Sequence, residues 1–358
     1  MRLKLLNIER NIKLSQLTTL GLGGVASKYV RCKTVSDIQT ALKMAQSESW
    51  PVCVLGGGSN LIVNDFGFDG LVIHVAIQQR EAAGEGALWV GGGELWDDFV
   101  AFTVEQGWTG VECLSGIPGY VGATPIQNVG AYGQEVSDTI HSVRVLDRQT
   151  LEVEDILNED CDFSYRQSRF KGLDKNRFVV VAVRFDLDKK PIHIKYPELQ
   201  KKIADLNHDF ASQSKAKRLQ MIRETVLELR RGKSMVVDST DGNSKSVGSF
   251  FVNPVLNAES LQRFTDICEG LGKSPATHAT EFGTKVSAAW LVENAGFNKG
   301  FRHGGVKISD KHSLALVNVS GKTSELLELA DLIRTKVYQV FSIKLHREPV
   351  LLGRDSYE

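Results

Sequence analysis

The sequence predicts an α+β fold spread over more than one domain, and three features predict it. Its 358 residues exceed what one compact core organises, since domains usually run to about 100–200 residues. Apolar runs of period two and of period 3.6 both recur, without the regular strand–helix alternation of a doubly wound sheet. No internal repeat or low-complexity tract interrupts them.

The elements follow in order. Short β-type runs at 26–31, 51–55, 61–63 and 71–75 surround one helical stretch, Ser36 to Ser47. There Ile38, Leu42 and Ala45 share a face, and Ser36 is the expected N-cap. A strand at 87–90 is then broken by Gly91, Gly92 and Gly93. Leu95, Phe99 and Phe102, spaced i, i+4, i+7, predict a helix to Gln106. Beyond a Gly/Pro-rich stretch at 115–133, strands are expected at 141–146, 151–155 and 178–187.

The charged, helix-prone segment 212–231 reads as a bridge to a third unit. That unit has a loop at 232–253, helices at 258–271 and near 286–295, and a strand at 313–318. A final helix at 323–341 turns Leu326, Leu327, Ala330 and Ile333 inward. The expected boundaries are 1–75, 76–215 and 216–345, with 346–358 as a returning C-terminal segment.

Composition narrows the function. The 43 basic and 43 acidic residues cancel and are interspersed, so no electrostatic footprint for nucleic acid or a membrane surface is present; a small-molecule partner is expected. Lys4, Glu9, Arg10 and Lys13 interrupt the leucines of the N-terminus, and no later run is long enough to span a bilayer. The five cysteines are scattered without C-x-x-C or Cys/His spacing, so no metal site is expected, and a reduced, cytoplasmic setting fits.

Two glycine-rich stretches carry the chemistry. Gly56, Gly57 and Gly58 lie between apolar runs, which fits either a sharp turn between two strands or a nest of backbone N–H groups for a pyrophosphate. A Rossmann loop would open a helix, and a Walker loop would supply Lys-Ser/Thr; neither follows here. The second stretch, 114–135, sets Gly116, Gly119, Gly122, Gly130 and Gly133 among apolar residues. Close backbone approach to a buried ligand explains them better than flexibility, and two such loops imply one large cofactor.

Five separated motifs then resemble one family in that family's order. LGGGSNLIVNDFGFDGLVI (55–73) with GIPGYVGATPIQNVGAYGQE (116–135), SYRQSRFK (164–171), SVGSFFVNP (246–254) and the long stretch 285–318 resemble the UDP-N-acetylenolpyruvoylglucosamine reductase family, and LHREPVLLG (345–353) extends the likeness. The resemblance implies a two-part FAD-binding unit of the vanillyl-alcohol-oxidase/PCMH type, covering 1–75 and 76–215, plus a third α+β domain for a nucleotide-sugar. It implies non-covalent FAD, NADPH as reductant, UDP-N-acetylglucosamine enolpyruvate as substrate, and a bacterial cytoplasmic monomer making UDP-N-acetylmuramate for peptidoglycan.

Residue roles come from the same resemblance. FAD contacts are expected from Leu55, Gly56, Gly57, Gly58, Ser59, Asn60 and Leu61 in the first loop. The second loop would supply Gly116, Ile117, Pro118, Gly119, Gly122, Ala123, Gln127, Asn128, Gly130, Ala131 and Tyr132. Ser249 is the expected proton donor, Arg166 the fork for the substrate carboxylate, and Glu348 the second catalytic charge. Tyr165, Tyr196, Lys233, Asn253, Lys285 and Asn294 are the expected substrate contacts, Tyr196 on a covering loop of the family's longer, type I-like branch. Asn294 stands where many members carry glutamine, and the lengthened loop from Lys233 to Ser249 resembles an actinobacterial or Bacteroidetes-like version.

Each of these residues also has an ordinary reading: Ser249 as a turn serine, Arg166 and Glu348 as surface charges, Tyr196 as the residue before a proline. His303 is expected in a structural or peripheral nucleotide role, and His74 and His312 as satisfied core-edge histidines. Two rivals remain: a flavin oxidase of the same superfamily, although 55–65 lack the His or Cys that would tether FAD, and a non-catalytic nucleotide-sugar sensor, although Ser249, Arg166 and Glu348 are all present.

Overall fold

The computed structural model describes residues 6–188, 191–206 and 210–353. The chain divides into two compact units. The first comprises Ala26–Gly58 and Asp69–Val236 with the described residues up to Ile12; the second comprises Lys13–Val25, Ser59–Phe68 and the described residues from Val237 onward.

In the first unit a four-stranded sheet runs in the order Glu9–Lys13, Val25–Cys32, Phe68–Val75, Val52–Leu55. Its last two strands are parallel, with Leu55 opposite His74. Helix α1 (Val35–Ser47) buries Ile38, Ala41, Leu42 and Ala45 against Val30, Leu71 and Ile73. Its N-cap is Thr34 rather than Ser36. The Thr34 hydroxyl accepts the Asp37 N–H at 3.1 Å, and the Asp37 carboxylate accepts the Thr34 N–H at 3.1 Å. That reciprocal box satisfies two end amides, which Ser36 could not do from inside the first turn.

A second sheet is antiparallel, in the order Val153–Leu157, Ile140–Asp147, Phe178–Asp186, Ala87–Gly91, Arg80–Gly84. Helix α2 (Trp96–Glu105) covers it with Trp96, Phe99, Val100 and Val104. Leu95, expected on the inward face, is the N-cap and 47% exposed, so the buried stripe starts one residue later.

Helices α3 (Pro197–Ala204) and α4 (Lys215–Gly232) close this unit. The expected bridge to another unit is therefore α4, a member of the first. Ile222, Val226 and Leu229 recur at i, i+4, i+7 and pack on Leu199, Ile203 and Cys113. Abundant charge on the other face hid that stripe in the sequence.

The second unit centres on α5 (Ala258–Gly270), α6 (Ala288–Asn294) and α7 (Thr323–Phe341) with two three-stranded sheets. On α7, Leu326, Leu329, Ala330, Ile333 and Val337 are buried; Leu327 lies on the flank, half-buried, and Leu329 takes its inward place. Asp65 caps this helix, accepting the N–H groups of Thr323 at 2.7 Å and Ser324 at 2.9 Å. Strand Leu61–Val63, directly after the glycine loop, pairs in parallel with Val350–Leu352 near the other end of the chain. The α+β class and the strand–loop–strand form of 52–63 are as the sequence predicts.

Candidate active site

In the first unit the two glycine stretches meet. A Cβ on Gly57 would lie 2.7 Å from the Gly119 Cα and 3.2 Å from the Tyr120 ring; one on Gly122 would lie 2.9 Å from the Gly92 Cα. Glycine is demanded here by main chain packing on main chain, a different reason from the ligand approach read from sequence. The packing sets the two loops side by side, with Ala123 and Tyr120 also beside Gly56.

Asp97 holds the second loop in place, a role with no local signature beyond a carboxylate in a helix's first turn. Its Oδ1 accepts the Gly116 N–H at 2.6 Å and the Arg223 Nη1 at 2.6 Å, while Oδ2 accepts Arg223 Nη2 at 2.9 Å. Burial raises the Asp97 pKa, but these donors outweigh it and hold the carboxyl below its usual range. The stabilisation is therefore present above the unfolded pKa near 3.9 and is lost as pH falls through the lower folded value. Asp97→Ala is expected to cost about 2 kcal/mol, read as a lower urea midpoint with unchanged slope, and to loosen FAD through Gly116. An unchanged midpoint would refute that role.

His74 departs from its expected role as a satisfied histidine. It is 7% exposed. One ring nitrogen, Nδ1, lies 2.7 Å from the Tyr29 hydroxyl, but Nε2 is buried without a partner among the described residues. Such an unpaired group costs about 1–3 kcal/mol.

Tyr132, Tyr196 and Lys233 form one cluster. The two tyrosine rings meet edge to face at 5.2 Å, and Lys233 Nζ lies 5.9 Å from the Tyr132 ring and 2.6 Å from Glu198. Helix starts and ends place them: Tyr196 is the N-cap residue of α3, with Pro197 pre-set for the first turn, and Lys233 is the C-cap of α4. Glu198 was not foreseen; it faces Lys233 because it sits in the first turn of α3. Arg166 has φ +56°, a conformation costly for a non-glycine residue. It is held by its Nη2 donating to the Gly130 carbonyl at 2.6 Å, by Lys171 donating to its own carbonyl at 3.0 Å, and by contact with the Tyr165 ring at 5.2 Å. The Asn128 side chain is engaged by Glu135, Ser164 and Ser137.

In the second unit the segments that carry Ser249 and Glu348 run side by side. Ser249 bridges Ala315, Phe251 bridges Arg347, and the Glu348 N–H donates to the Phe250 carbonyl at 2.9 Å, so the two candidates flank one carbonyl on adjacent extended segments. Gly248, at φ +75° with open space around it, makes the turn that precedes Ser249. Asn60 joins them: its Nδ2 donates to the Glu348 carbonyl at 3.4 Å and its carbonyl accepts the Val350 N–H at 3.0 Å. Thr19, unforeseen, donates to the Ser246 carbonyl at 2.9 Å.

Two expected substrate contacts are turned to structural work. Asn253 Oδ1 accepts the Ala288 N–H at 2.8 Å, and Asn294 accepts from Lys273 at 2.8 Å while donating to the Trp290 carbonyl at 2.9 Å. Lys285 lies on strand Gly283–Val286, opposite Val255. His303 meets Glu328 at 3.1 Å, and His312 Nδ1 accepts the Leu314 N–H at 3.2 Å.

Among the described residues no cluster of His, Cys, Asp or Glu could hold a metal ion. All five cysteines are free thiols, and burial pushes Cys32, Cys53 and Cys161 up to about 12, which excludes thiolates there. No helix among the described residues is long and apolar enough to cross a membrane.

Known proteins resemble this chain over most of its length. Residues 26–154 match the family described as FAD binding domain, and residues 240–352 match the C-terminal domain of UDP-N-acetylenolpyruvoylglucosamine reductase. The chain is 44% identical over 348 residues to the UDP-N-acetylenolpyruvoylglucosamine reductase of Streptomyces coelicolor, covering 95% of this chain and 89% of that one. It is 43% identical to that of Thermobifida fusca, covering 96% and 98%. The crystal structure of the Thermus caldophilus UDP-N-acetylenolpyruvylglucosamine reductase aligns over 98% of this chain and all of its own, with a TM-score of 0.67 at 24% identity, a likeness of fold.

Proposed function

This chain belongs to the UDP-N-acetylenolpyruvoylglucosamine reductase family, and from that premise we propose how its residues divide the reaction. It is an FAD-dependent oxidoreductase that reduces the enolpyruvyl group of UDP-N-acetylglucosamine enolpyruvate in peptidoglycan synthesis. The first unit's residues fit FAD: two glycine loops in main-chain contact form a cradle, and a buried histidine nitrogen of the neighbouring strand lacks a partner among the described residues. Bound FAD, reduced by NADPH, supplies the hydride for the terminal carbon of the enolpyruvyl group.

The protein's share is a proton, a charge and a grip. We assign Ser249 as the proton donor to the carbon bearing the carboxylate. Its register beside Glu348, fixed by the Glu348 N–H to Phe250 carbonyl bond, is the observation that supports this reading. Arg166 offers its guanidinium to the carboxylate as negative charge builds there, a kind of term worth roughly 3–4 kcal/mol per donor. Glu348 polarises the same centre. Lys233, Tyr196 and Tyr165 serve the nucleotide and sugar, Lys233 exchanging Glu198 for phosphate. Lys285, Asn253 and Asn294 are proposed as further substrate contacts, the two asparagines after release of their present partners. The setting is a bacterial cytoplasm and the active form a monomer.

One titration tests the assignment. The purified protein is expected to be yellow, to bleach under NADPH without oxygen, and to recolour on adding UDP-N-acetylglucosamine enolpyruvate. Recolouring by oxygen with no response to that substrate would mark an oxidase; yellow protein that never bleaches would mark a sensor.

A further inference from the structure

His74 is a buried ring in the first unit that the reaction leaves unused, with one nitrogen unpartnered among the described residues. It ends the parallel pair Val52–Leu55 and Phe68–Val75, sitting opposite Leu55, the residue before Gly56. The imidazole stacks on Tyr120, with centroids 5.7 Å apart and planes 10° apart, and Tyr120 in turn borders the space beside Gly57. The imidazole therefore lies one ring away from the glycine loops, and its Nε2 has no partner among the described residues.

Its chemistry selects the ligand. Burial, helped by the nearby Arg31 charge, pulls the His74 pKa down to about 4, so the ring is neutral near pH 7 and carries one N–H. A phenol is the stronger acid and imidazole the stronger base of the two, so the Tyr29 hydroxyl donates to Nδ1 and the ring proton resides on Nε2. Nε2 is then a donor seeking an acceptor, and the positive charge of Arg31 favours an anionic one.

Resting on FAD as the cofactor, we propose that His74 is a positioning residue whose Nε2–H donates to a phosphate oxygen on the ADP half of FAD and sets the cofactor's register between the glycine loops. The Tyr29 hydroxyl locks the tautomer that makes this possible.

The test is FAD binding to the apoprotein, followed by flavin fluorescence, with ADP as competitor. The double variant Tyr29→Phe/His74→Phe removes both polar partners together, which spares the fold an orphaned hydroxyl. It is expected to weaken FAD and ADP alike by about 10- to 100-fold, the loss of one hydrogen bond to a charged group. FAD affinity within twofold of the natural chain would overturn the proposal, since Nε2 would then be met by water alone. Weakened FAD with unchanged ADP would also overturn it, by placing His74 at the isoalloxazine end. Failure of the natural chain to bind FAD would instead sink the enzyme assignment. A measurement on the natural chain keeps the idea falsifiable whatever the variant does: the Nε2–H resonance of nitrogen-labelled histidine should move downfield and exchange more slowly when ADP is added, and an unmoved resonance refutes the contact.

Discussion

Ser249→Ala is expected to leave bleaching by NADPH unchanged while slowing recolouring by the enolpyruvyl substrate about 10²- to 10⁴-fold, the usual span for a positioned proton donor. The argument is one of location and chemistry. In the proposed reaction, hydride delivery to the terminal carbon would leave electron density on the neighbouring carbon and its carboxylate, and that carbon would then need a proton. Ser249 follows Gly248, whose φ of +75° turns the chain, and its backbone is pinned by the bridge to Ala315. The hydroxyl is thus presented from a fixed main chain.

Nothing in bleaching by NADPH requires that proton, so the two half-reactions should separate cleanly in stopped-flow traces. Single-turnover rates matter because kcat alone mixes both steps. If Ser249→Ala slows both halves equally, its hydroxyl serves binding or folding, and the proton comes from elsewhere.

How much of this was legible in the sequence depends on the range of the interaction. The strand–glycine–strand form of 52–63 was visible because alternating apolar residues and consecutive glycines are local signals. Helix α7 was read to its observed ends because a long amphipathic period is the strongest of those signals. Thr34 lost to Ser36 only because a capping box and a plain N-cap differ by a hydrogen bond between residues three apart, and both residues are competent. Asp97 could not be read at all: its partners Gly116 and Arg223 are 19 and 126 residues away.

The same distinction explains the chain's path. Linear boundaries at 75 and 215 assume that each unit is a continuous stretch, whereas residues 13–25 and 59–68 belong with the C-terminal part and α4 with the first unit. The cause for 59–68 is the parallel pairing of Leu61–Val63 with Val350–Leu352, a contact whose partners are each too short to advertise themselves. For the site, residue types came through family likeness and their engagement did not. Asn294 was expected at the substrate, yet Lys273 and the Trp290 carbonyl take both ends of its amide.

Gly57→Ala should have the largest effect on the cofactor: a colourless protein, or one whose FAD washes out, with stability lowered by about 1–3 kcal/mol. Gly57 does not need a positive φ, so backbone strain is not the reason. The reason is space. An added Cβ would stand 2.7 Å from the Gly119 Cα and 3.1 Å from its carbonyl carbon, and backbone on the opposing loop cannot swing aside as a side chain could. The two loops must part, and the cradle opens.

Gly56→Ala is the control, because its added Cβ would meet Ala123 at 3.8 Å and Tyr120 at 4.0 Å, ordinary contact distances. The pair therefore differs by one position and by about an ångström of clearance. Absorbance at the flavin band per mole of protein, followed by FAD titration of the apoprotein, separates the two variants. If Gly57→Ala retains FAD as tightly as Gly56→Ala does, the contact between the loops does not shape the cofactor site, and the cradle must be held open by something other than the approach of Gly57 to Gly119.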